Sequence, residues 1–483
     1  MATRKTPRTS INRHTGKYLF PETNNGLVAA PFILNVEGRS SHMANVSVNH
    51  FRSANDEPPM ENSLTQAYLS RPEFQQGTCD VLVLNAAARQ SLMAVRSLGK
   101  RGLRIAALDD PARSVIPTFS SRWCHHKIVC PTYDEVKEHL HYLHLLLEAN
   151  RARIVIPTSD GDVALLRQYR EQVEEHSGLA IAKEPALAIA VSKERTLEIA
   201  ARLGLRIPRG VTLKDVSEIE VALREIGLPA VVKPEESWLE DGQQGVRVAC
   251  YLVTTPDEAR RAVEELTFLG GKVLFQQFLT GRREAVSFLY ANGQMHARFA
   301  QWAKRTCPPL GGTSILRQSI AIPVDIGEQA ERLVREIDLE GYSEVEFRRD
   351  SAGYPYLMEI NPRLSASVEI AVRAGVDFPY LLYQWANGER IDVVEGYRSG
   401  LWMRYLGGDI ATTIAALQQR GRPGVASPAK TILDFCSSFF IPMRYDCCDW
   451  EDPLPVWSAI TGASRNMWRR IREGISKKQI RSS

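Results

Sequence analysis

The chain has 483 residues, 44% of them apolar and 24% charged, with a net charge of +4. That length allows two or three domains, and the composition is ordinary for a soluble globular protein. No run approaches the roughly 18 apolar residues of a membrane span, and the basic, polar N-terminus has no signal-peptide core. The eight cysteines lack framework spacing, so the expectation is a cytoplasmic protein with reduced thiols.

Residues 1–77 are rich in Ser, Asn, Pro and Arg without sustained periodicity, which predicts a largely disordered tail. Met43 and Met60 are alternative starts. Order is expected from Cys79. Asp80–Leu84 reads as a buried strand, Ser91–Lys100 as a helix closed by Gly102, and Leu103–Leu108 as the next strand. Together these make a Rossmann-like β-α-β unit without the G-x-G-x-x-G dinucleotide fingerprint. Cys124, His125, His126 and Cys130 lack zinc-ligand spacing and read as a strand edge. A strand over Arg153–Ile156 leads into Thr158-Ser159-Asp160 and a helix from Asp162 to about His176. That polar cluster has two open readings, a ligand site at a strand's carboxyl end or a helix N-cap.

Ser192 and Lys193 open a helix to about Leu203, and Leu228–Pro234 is a strand that leaves Lys233 at its end. Ser237–Val246, with Gly242 and Gly245, resembles a phosphate-covering loop. Val273–Phe278 and Glu284–Tyr290 are strands joined through Leu279-Thr280-Gly281. Gln301–Gly312 is a candidate substrate loop in which Lys304 and Arg305 would meet an anion, or else a plain connection.

Ser343–Arg349 and Tyr354–Asn361 read as paired strands around the turn Asp350–Gly353. A four-residue turn puts Glu346 opposite Leu357 and Glu344 opposite Glu359. Strand alternation then gathers Glu344, Glu346, Glu359 and Asn361 on one face, with Val345, Phe347, Tyr356, Met358 and Ile360 in the core. Like charges so placed need neutralising, and carboxylate and amide oxygens suit Mg2+, with Mn2+ as a substitute. Further on, Ile410–Gln419 forms a helix, and Phe435, Phe439 and Phe440 are expected to pack as core. The basic tail from Arg465 to Arg481 is either solvated or a weak contact with a membrane surface. No nucleic-acid partner is expected.

The order of these pieces is informative. Lys193 at a helix start, Lys233 in VVKP, a glycine loop, FQQFLTG, then EVEF and LMEINPR resemble the ATP-grasp superfamily, in its carbamoyl-phosphate-synthase-like or carboxylate–amine ligase branch. The resemblance covers roughly residues 78–395. It implies an α/β fold: a pre-ATP-grasp domain over 78–185, then an ATP-grasp domain over 186–395 built on antiparallel sheets. A mobile lid would lie at about 208–276, and 396–483 would be a helical extension. It also implies that Lys193 and Lys233 bind phosphates, with Gly242 and Gly245 in the covering loop. Gln276, Gln277, Phe278 and Leu279 would read adenine, although the superfamily often has a glutamate where this hinge has Gln276-Gln277. Glu284 would accept ribose hydroxyls, and Glu346, Glu359 and Asn361 would bind Mg2+. Arg363, joined by Arg317, would contact phosphate or the reacting carboxyl.

The implied reaction phosphorylates a small-molecule carboxylate with ATP and passes the acyl group to an amine. Two alternatives remain: bicarbonate activation of the carbamoyl-phosphate type, and a non-catalytic ATP-binding regulator or scaffold. Against the first stand the single motif set and the lack of an amidotransferase or biotin-carrier segment; against the second stands the presence of both Glu346 and Glu359.

Overall fold

The computed structural model describes residues 60–72, 77–110, 115–130, 136–150, 152–240, 245–268 and 271–462. The N-terminal tail to residue 59, Gly242, and the basic C-terminal tail with its expected membrane contact lie outside them. Order begins before Cys79, because Met60–Leu69 is a helix. Tyr68 anchors it, meeting Tyr142 edge-on with ring centroids 5.2 Å apart. One aromatic anchor supplies what composition does not register.

The first unit is a five-stranded parallel sheet in the order His126–Val129, Ile105–Asp109, Val81–Val83, Ile154–Ile156, Gly178–Leu179. Strands covered on both faces read as unbroken apolar runs, and Val81, Val83, Val155 and Ile156 are fully buried. Helix Arg89–Gly99 connects the first two strands and is buried almost throughout. The single helix expected after Asp162 is two, Asp160–Gln168 and Arg170–Glu174, broken at Tyr169.

The second unit is a small antiparallel sheet in the order Tyr251–Val253, Ala230–Pro234, Val273–Gln277, Gly210–Leu213. Helices Ile219–Ile226 and Pro256–Phe268 cover it through a core of its own that includes Ala222, Val232, Val263 and Phe275. A separate hairpin pairs Trp238–Glu240 with Gly245–Arg247, so the expected covering loop is partly a β-ribbon.

The third unit is a seven-stranded sheet. Its order is Pro355–Asn361, Gly341–Arg349, Arg283–Ala291, Gln294–Cys307, Thr313–Ile320, Trp402–Arg404, Arg444–Tyr445. The last two strands come from the C-terminal extension, which therefore continues the large sheet and is not simply helical. Phe439 and Phe440 are 51% and 88% exposed, against the expectation of a core. Phe435 and Phe439 instead flank the Arg404 guanidinium at 4.7 and 4.2 Å, which is cation–π packing.

Buried charge fastens the extension. Asp446 is bound by Arg89 and by both terminal nitrogens of Arg317, at 3.1 and 2.9 Å. Arg305 and Arg404 converge on Asp409, with Nε donating to it at 2.6 Å in each case. Asp452 accepts from Arg96 Nε at 2.8 Å, Ser121 Oγ at 2.7 Å and the Arg122 backbone N–H at 2.9 Å. Removing one partner of such a pair strands the other charge in the interior. Asp452→Ala should therefore cost about 3–5 kcal/mol, read as a lowered denaturant midpoint. Asp434→Ala, at the exposed Lys430–Asp434 pair, should cost less than about 1 kcal/mol. Equal shifts would show that the buried pair does not hold the extension.

Candidate functional site

The acidic hairpin forms as the sequence suggests. In the turn, Asp350 Oδ1 accepts the backbone N–H groups of Ala352 and Tyr354, each at 2.9 Å, and Gly353 takes the left-handed conformation at φ +86°. The pairing differs from the simple count by one residue next to the turn, where Arg349 meets Pro355, and by two at the carboxylates. Glu346 lies opposite Glu359 and Glu344 opposite Asn361, while Phe347 pairs with Leu357, leaving Met358 in a bulge. Leu357 is therefore the fully buried partner of Phe347, and Tyr356 and Met358 are only half-buried. Val345, Phe347, Leu357 and Ile360 share a core with Ile326, Ala330 and Leu333 of helix Val324–Glu336. Glu344, Glu346, Glu359 and Asn361 share the other face, as expected.

The next strand supplies a residue the sequence reading missed. Arg283 pairs across from Arg348, on the carboxylate face. Its Nε donates to Glu346 Oε2 at 2.9 Å, a second guanidinium nitrogen binds Glu346 Oε1, and Nη1 donates to the Gly312 carbonyl at 2.6 Å. Asn361 Nδ2 donates to the same Glu346 Oε1 at 3.1 Å. Burial raises the proton affinity of Glu346, Arg283 pulls it back, and Glu359 and Glu344 raise it again, leaving its carboxyl pushed up to about 7.

Glu284 is a correction. It pairs with Phe347, on the opposite face from Glu346, and binds Arg349 at 2.7 Å and Arg282 at 3.0 Å. A side chain turned away and already ion-paired is unsuited to a ribose beside the carboxylates. The signal was present in the strand: Glu284 has the parity of Val286 and Phe288, both core residues. Arg317 is a second correction. It is fully buried and committed to Asp446, so its guanidinium belongs to the seam with the extension. The loop reading of Gln301–Gly312 is a third. Its first half is strand, Arg305 is held by Asp409, and Lys304 lies 6.0 Å from the Trp402 ring.

A cleft of about 710 Å3 brings together Lys193, Glu359, Asn361 and Arg363, with Asp160 and Trp238 on its wall. Ser192 Oγ accepts the Arg195 N–H and caps the helix that carries Lys193, whose Nζ lies 3.2 Å from Ser237 Oγ. Arg363 Nε donates to Asp160 Oδ1 at 2.5 Å. Burial opposes the Arg363 charge, but Asp160, Glu344 and Glu359 more than restore it and hold its proton above the ordinary arginine range. Both readings of Thr158–Asp160 thus have a share. Ser159 caps the helix in a reciprocal box with Asp162, whereas Asp160 faces the cleft.

Lys233 is buried on the small sheet, one position across from Leu274. Burial lowers its proton affinity, with the nearby Glu359 and Glu346 carboxylates opposing and Lys193 adding to the fall. Gln276 projects from the face that carries Lys233, by strand alternation along the paired strands. It is fully buried, and neither its amide oxygen nor its nitrogen has a partner among the described residues. Gln277, Phe278 and Leu279 follow, Leu279 buried and its carbonyl accepting from Arg348 Nη1 at 2.9 Å. Gly245 begins the second strand of the Trp238–Arg247 hairpin. That hairpin stands on helix Asp160–Gln168, where a Cβ on Gly161 would lie 2.8 Å from the Trp238 ring. Among the described residues no group of three or more His, Cys, Asp or Glu is placed to hold a metal by itself. The Glu346–Glu359–Asn361 oxygens suit a hard cation that also takes phosphate and water.

A family model described as "ATP-grasp in the biosynthetic pathway with Ter operon" matches residues 274–407. The carbamoyl phosphate synthase large chain of Methanoculleus marisnigri is 26% identical over 241 residues, 46% of this chain and 22% of that protein. The D-alanine–D-alanine ligase of Geobacter sulfurreducens is 27% identical over 217 residues, 41% of this chain and 64% of that one. The chain therefore spans only part of the relatives it matches. The biotin carboxylase of Campylobacter jejuni, solved with an ATP analogue, superposes with a TM-score of 0.54 at 15% identity, covering 67% of this chain and 74% of that one. It shares the fold.

Two outcomes follow from the geometry. Unpartnered buried amide groups cost roughly 1–3 kcal/mol each. Gln276→Leu should therefore raise the thermal midpoint of the ligand-free protein while weakening binding of a non-hydrolysable ATP analogue by about tenfold; a variant both less stable and unimpaired in binding would remove Gln276 from the nucleotide site. A cation needs the ionised carboxylate. Since Glu346 is protonated below about 7, affinity for Mg2+ in the presence of that analogue should fall by about tenfold for each pH unit below that point. Affinity unchanged between pH 5.5 and 8 would show that no ligand of the cation takes up a proton in that range.

Proposed function

We propose that this chain, a member of the ATP-grasp superfamily, is an ATP- and Mg2+-dependent ligase that activates a carboxylate as an acyl phosphate and joins it to an amine. The observation that supports this most is the direct opposition of buried Glu346 and half-buried Glu359, with Asn361 beside them and Glu359, Asn361, Lys193 and Arg363 lining one cleft. Two carboxylates and an amide at the edge of a cleft flanked by cations suit a metal-bound triphosphate better than a structural ion pair.

Bound Mg2+ would supply charge neutralisation and in-line alignment of the γ-phosphate. Glu346, Glu359 and Asn361 would hold it. Lys193 and Lys233 would bind the phosphate oxygens, and Gln276 would satisfy its amide on the adenine edge, accepting from its amino group and donating to a ring nitrogen. A carboxylate oxygen of the substrate attacks the γ-phosphorus, and ADP leaves. The amine then attacks the acyl carbon, phosphate leaves with the C–O bond, and the amine's proton passes to solvent or phosphate. Arg363, held by Asp160, is placed to steady the negative charge that develops on the carbonyl oxygen. The Trp238–Arg247 hairpin would keep water from the acyl phosphate.

Glu359→Gln keeps the shape and a hydrogen-bonding group but removes a charge. It should reduce ADP formation at least about 100-fold, with the thermal midpoint unchanged or higher. Undiminished turnover would sink the metal assignment. Stimulation of the wild-type protein by bicarbonate alone would favour the bicarbonate-activating reading instead.

A further inference from the structure

One buried carboxylate on this face has no cation. Glu344 is 3% exposed, and no Lys, Arg or His of the described residues lies within ion-pair distance of it. Its Oε2 accepts from Gln301 Nε2 at 2.9 Å and from Ser287 Oγ at 3.4 Å. Gln301 Nε2 also donates to Ser367 Oγ at 2.7 Å, and the Ser367 and Ser365 hydroxyls are 3.1 Å apart. Gln301, itself 4% exposed, is left with its Oε1 acceptor unpartnered among the described residues. Its hydrogen-bonding neighbours are neutral, and the Arg283 and Arg363 guanidinium groups act on it only from beyond ion-pair distance. A buried carboxylate with no cation in contact and a buried acceptor with no donor suit the same thing, a small cation with several N–H groups.

Position narrows the choice. Glu344 lies opposite Asn361 and two residues from Glu346 on the same strand face, about 6–7 Å along the sheet. Its negative charge acts on Arg363. The order along the face is thus metal and phosphate ligands at one end, Arg363 alongside, and an acidic, ammonium-accepting corner at the other. We propose that Glu344, Gln301 and the Ser287 and Ser367 hydroxyls form a subsite for an ammonium group, so that the carboxylate activated here belongs to an α-amino acid. Its carboxyl would lie toward Arg363 and the γ-phosphate, and its ammonium would be paired with Glu344. This rests on the ligase reading above. Nothing is transferred at the subsite, and no proton changes hands there.

The test uses the full chain with Mg2+ and ATP, or the non-hydrolysable analogue. The proteinogenic amino acids are supplied singly, each beside its N-acetylated form. At least one free amino acid should raise both ADP release and the thermal midpoint of the analogue complex, and its N-acetyl form should do neither. Glu344→Gln should raise the half-saturating concentration of that amino acid by roughly 30-fold or more, with Mg-analogue binding within about twofold of the wild type. Gln301→Met, which removes the unpartnered acceptor and keeps the volume, should shift it in the same direction and covers the case in which the first variant does not fold. The proposal is overturned if N-acetyl acids serve as well, if both variants keep the wild-type response, or if Glu344→Gln loses the Mg-analogue, which would make it a metal ligand. Stimulation by N-acetylated or amine-free carboxylates alone would remove the subsite and leave the ligase reading standing. ATP binding without ADP release in response to any carboxylate would remove both.

Discussion

Two carboxylates placed directly across a strand pair repel each other, and here one of them, Glu346, is buried while the other, Glu359, is half-buried at the cleft. Glu346 and Glu359 face one another, with Glu344 a pleat away. A sheet would not tolerate that arrangement without compensation. In the protein alone the compensation comes from Arg283, which grips Glu346 with two nitrogens, and from Arg363, which sits between Asp160 and this face. Burial first, then Glu359 and Glu344, still raise the proton affinity of Glu346 against the pull of Arg283. In the proposed reading, an incoming cation would complete the compensation.

The rest of the molecule can be understood as holding that face still and leaving its mouth open. The hydrophobic side of the hairpin is locked against helix Val324–Glu336. On the far edge, the extension ties the large sheet to the parallel-sheet unit through Asp446 and Asp452, which Arg89, Arg317 and Arg96 bind. These pairs are too buried to be interaction surfaces, and they fix the register between units. The small sheet has its own core. It carries Lys233 and the unsatisfied amide of Gln276. Buried amide atoms at Gln276 and Gln301 have no partner among the described residues, and unpartnered buried polar groups lower stability.

Much of this was legible in the sequence. Apolar runs and turn residues located the Rossmann-like unit, the lysine-bearing strand and helix, and the acidic hairpin, and the order of motifs assigned the fold. What could not be read was anything decided by one residue of register. One extra residue in the turn and one in the Met358 bulge together moved Glu359 from opposite Glu344 to opposite Glu346, and no propensity marks a bulge inside an alternating strand. Glu284 was mistaken for a site residue and Arg283 overlooked, because adjacent residues on a strand point to opposite faces. Arg317 and Arg305 looked like anion binders until the distant Asp446 and Asp409 were folded against them. Long-range ion pairs of that kind have no local signature. Phe439 and Phe440 failed as core for a related reason: apolarity does not say whether a neighbour arrives to cover it.

In the proposed reaction the γ-phosphate of ATP is transferred to a carboxylate oxygen. Carboxylates labelled with 18O, including amino acids and bicarbonate, can be supplied with Mg2+, ATP and an amine mixture, and the released phosphate analysed by mass spectrometry. One 18O should appear in phosphate for each turnover, carried over when the acyl C–O bond breaks. Turnover that yields only unlabelled phosphate would mean that water, not a carboxylate, attacks ATP, and would contradict the account.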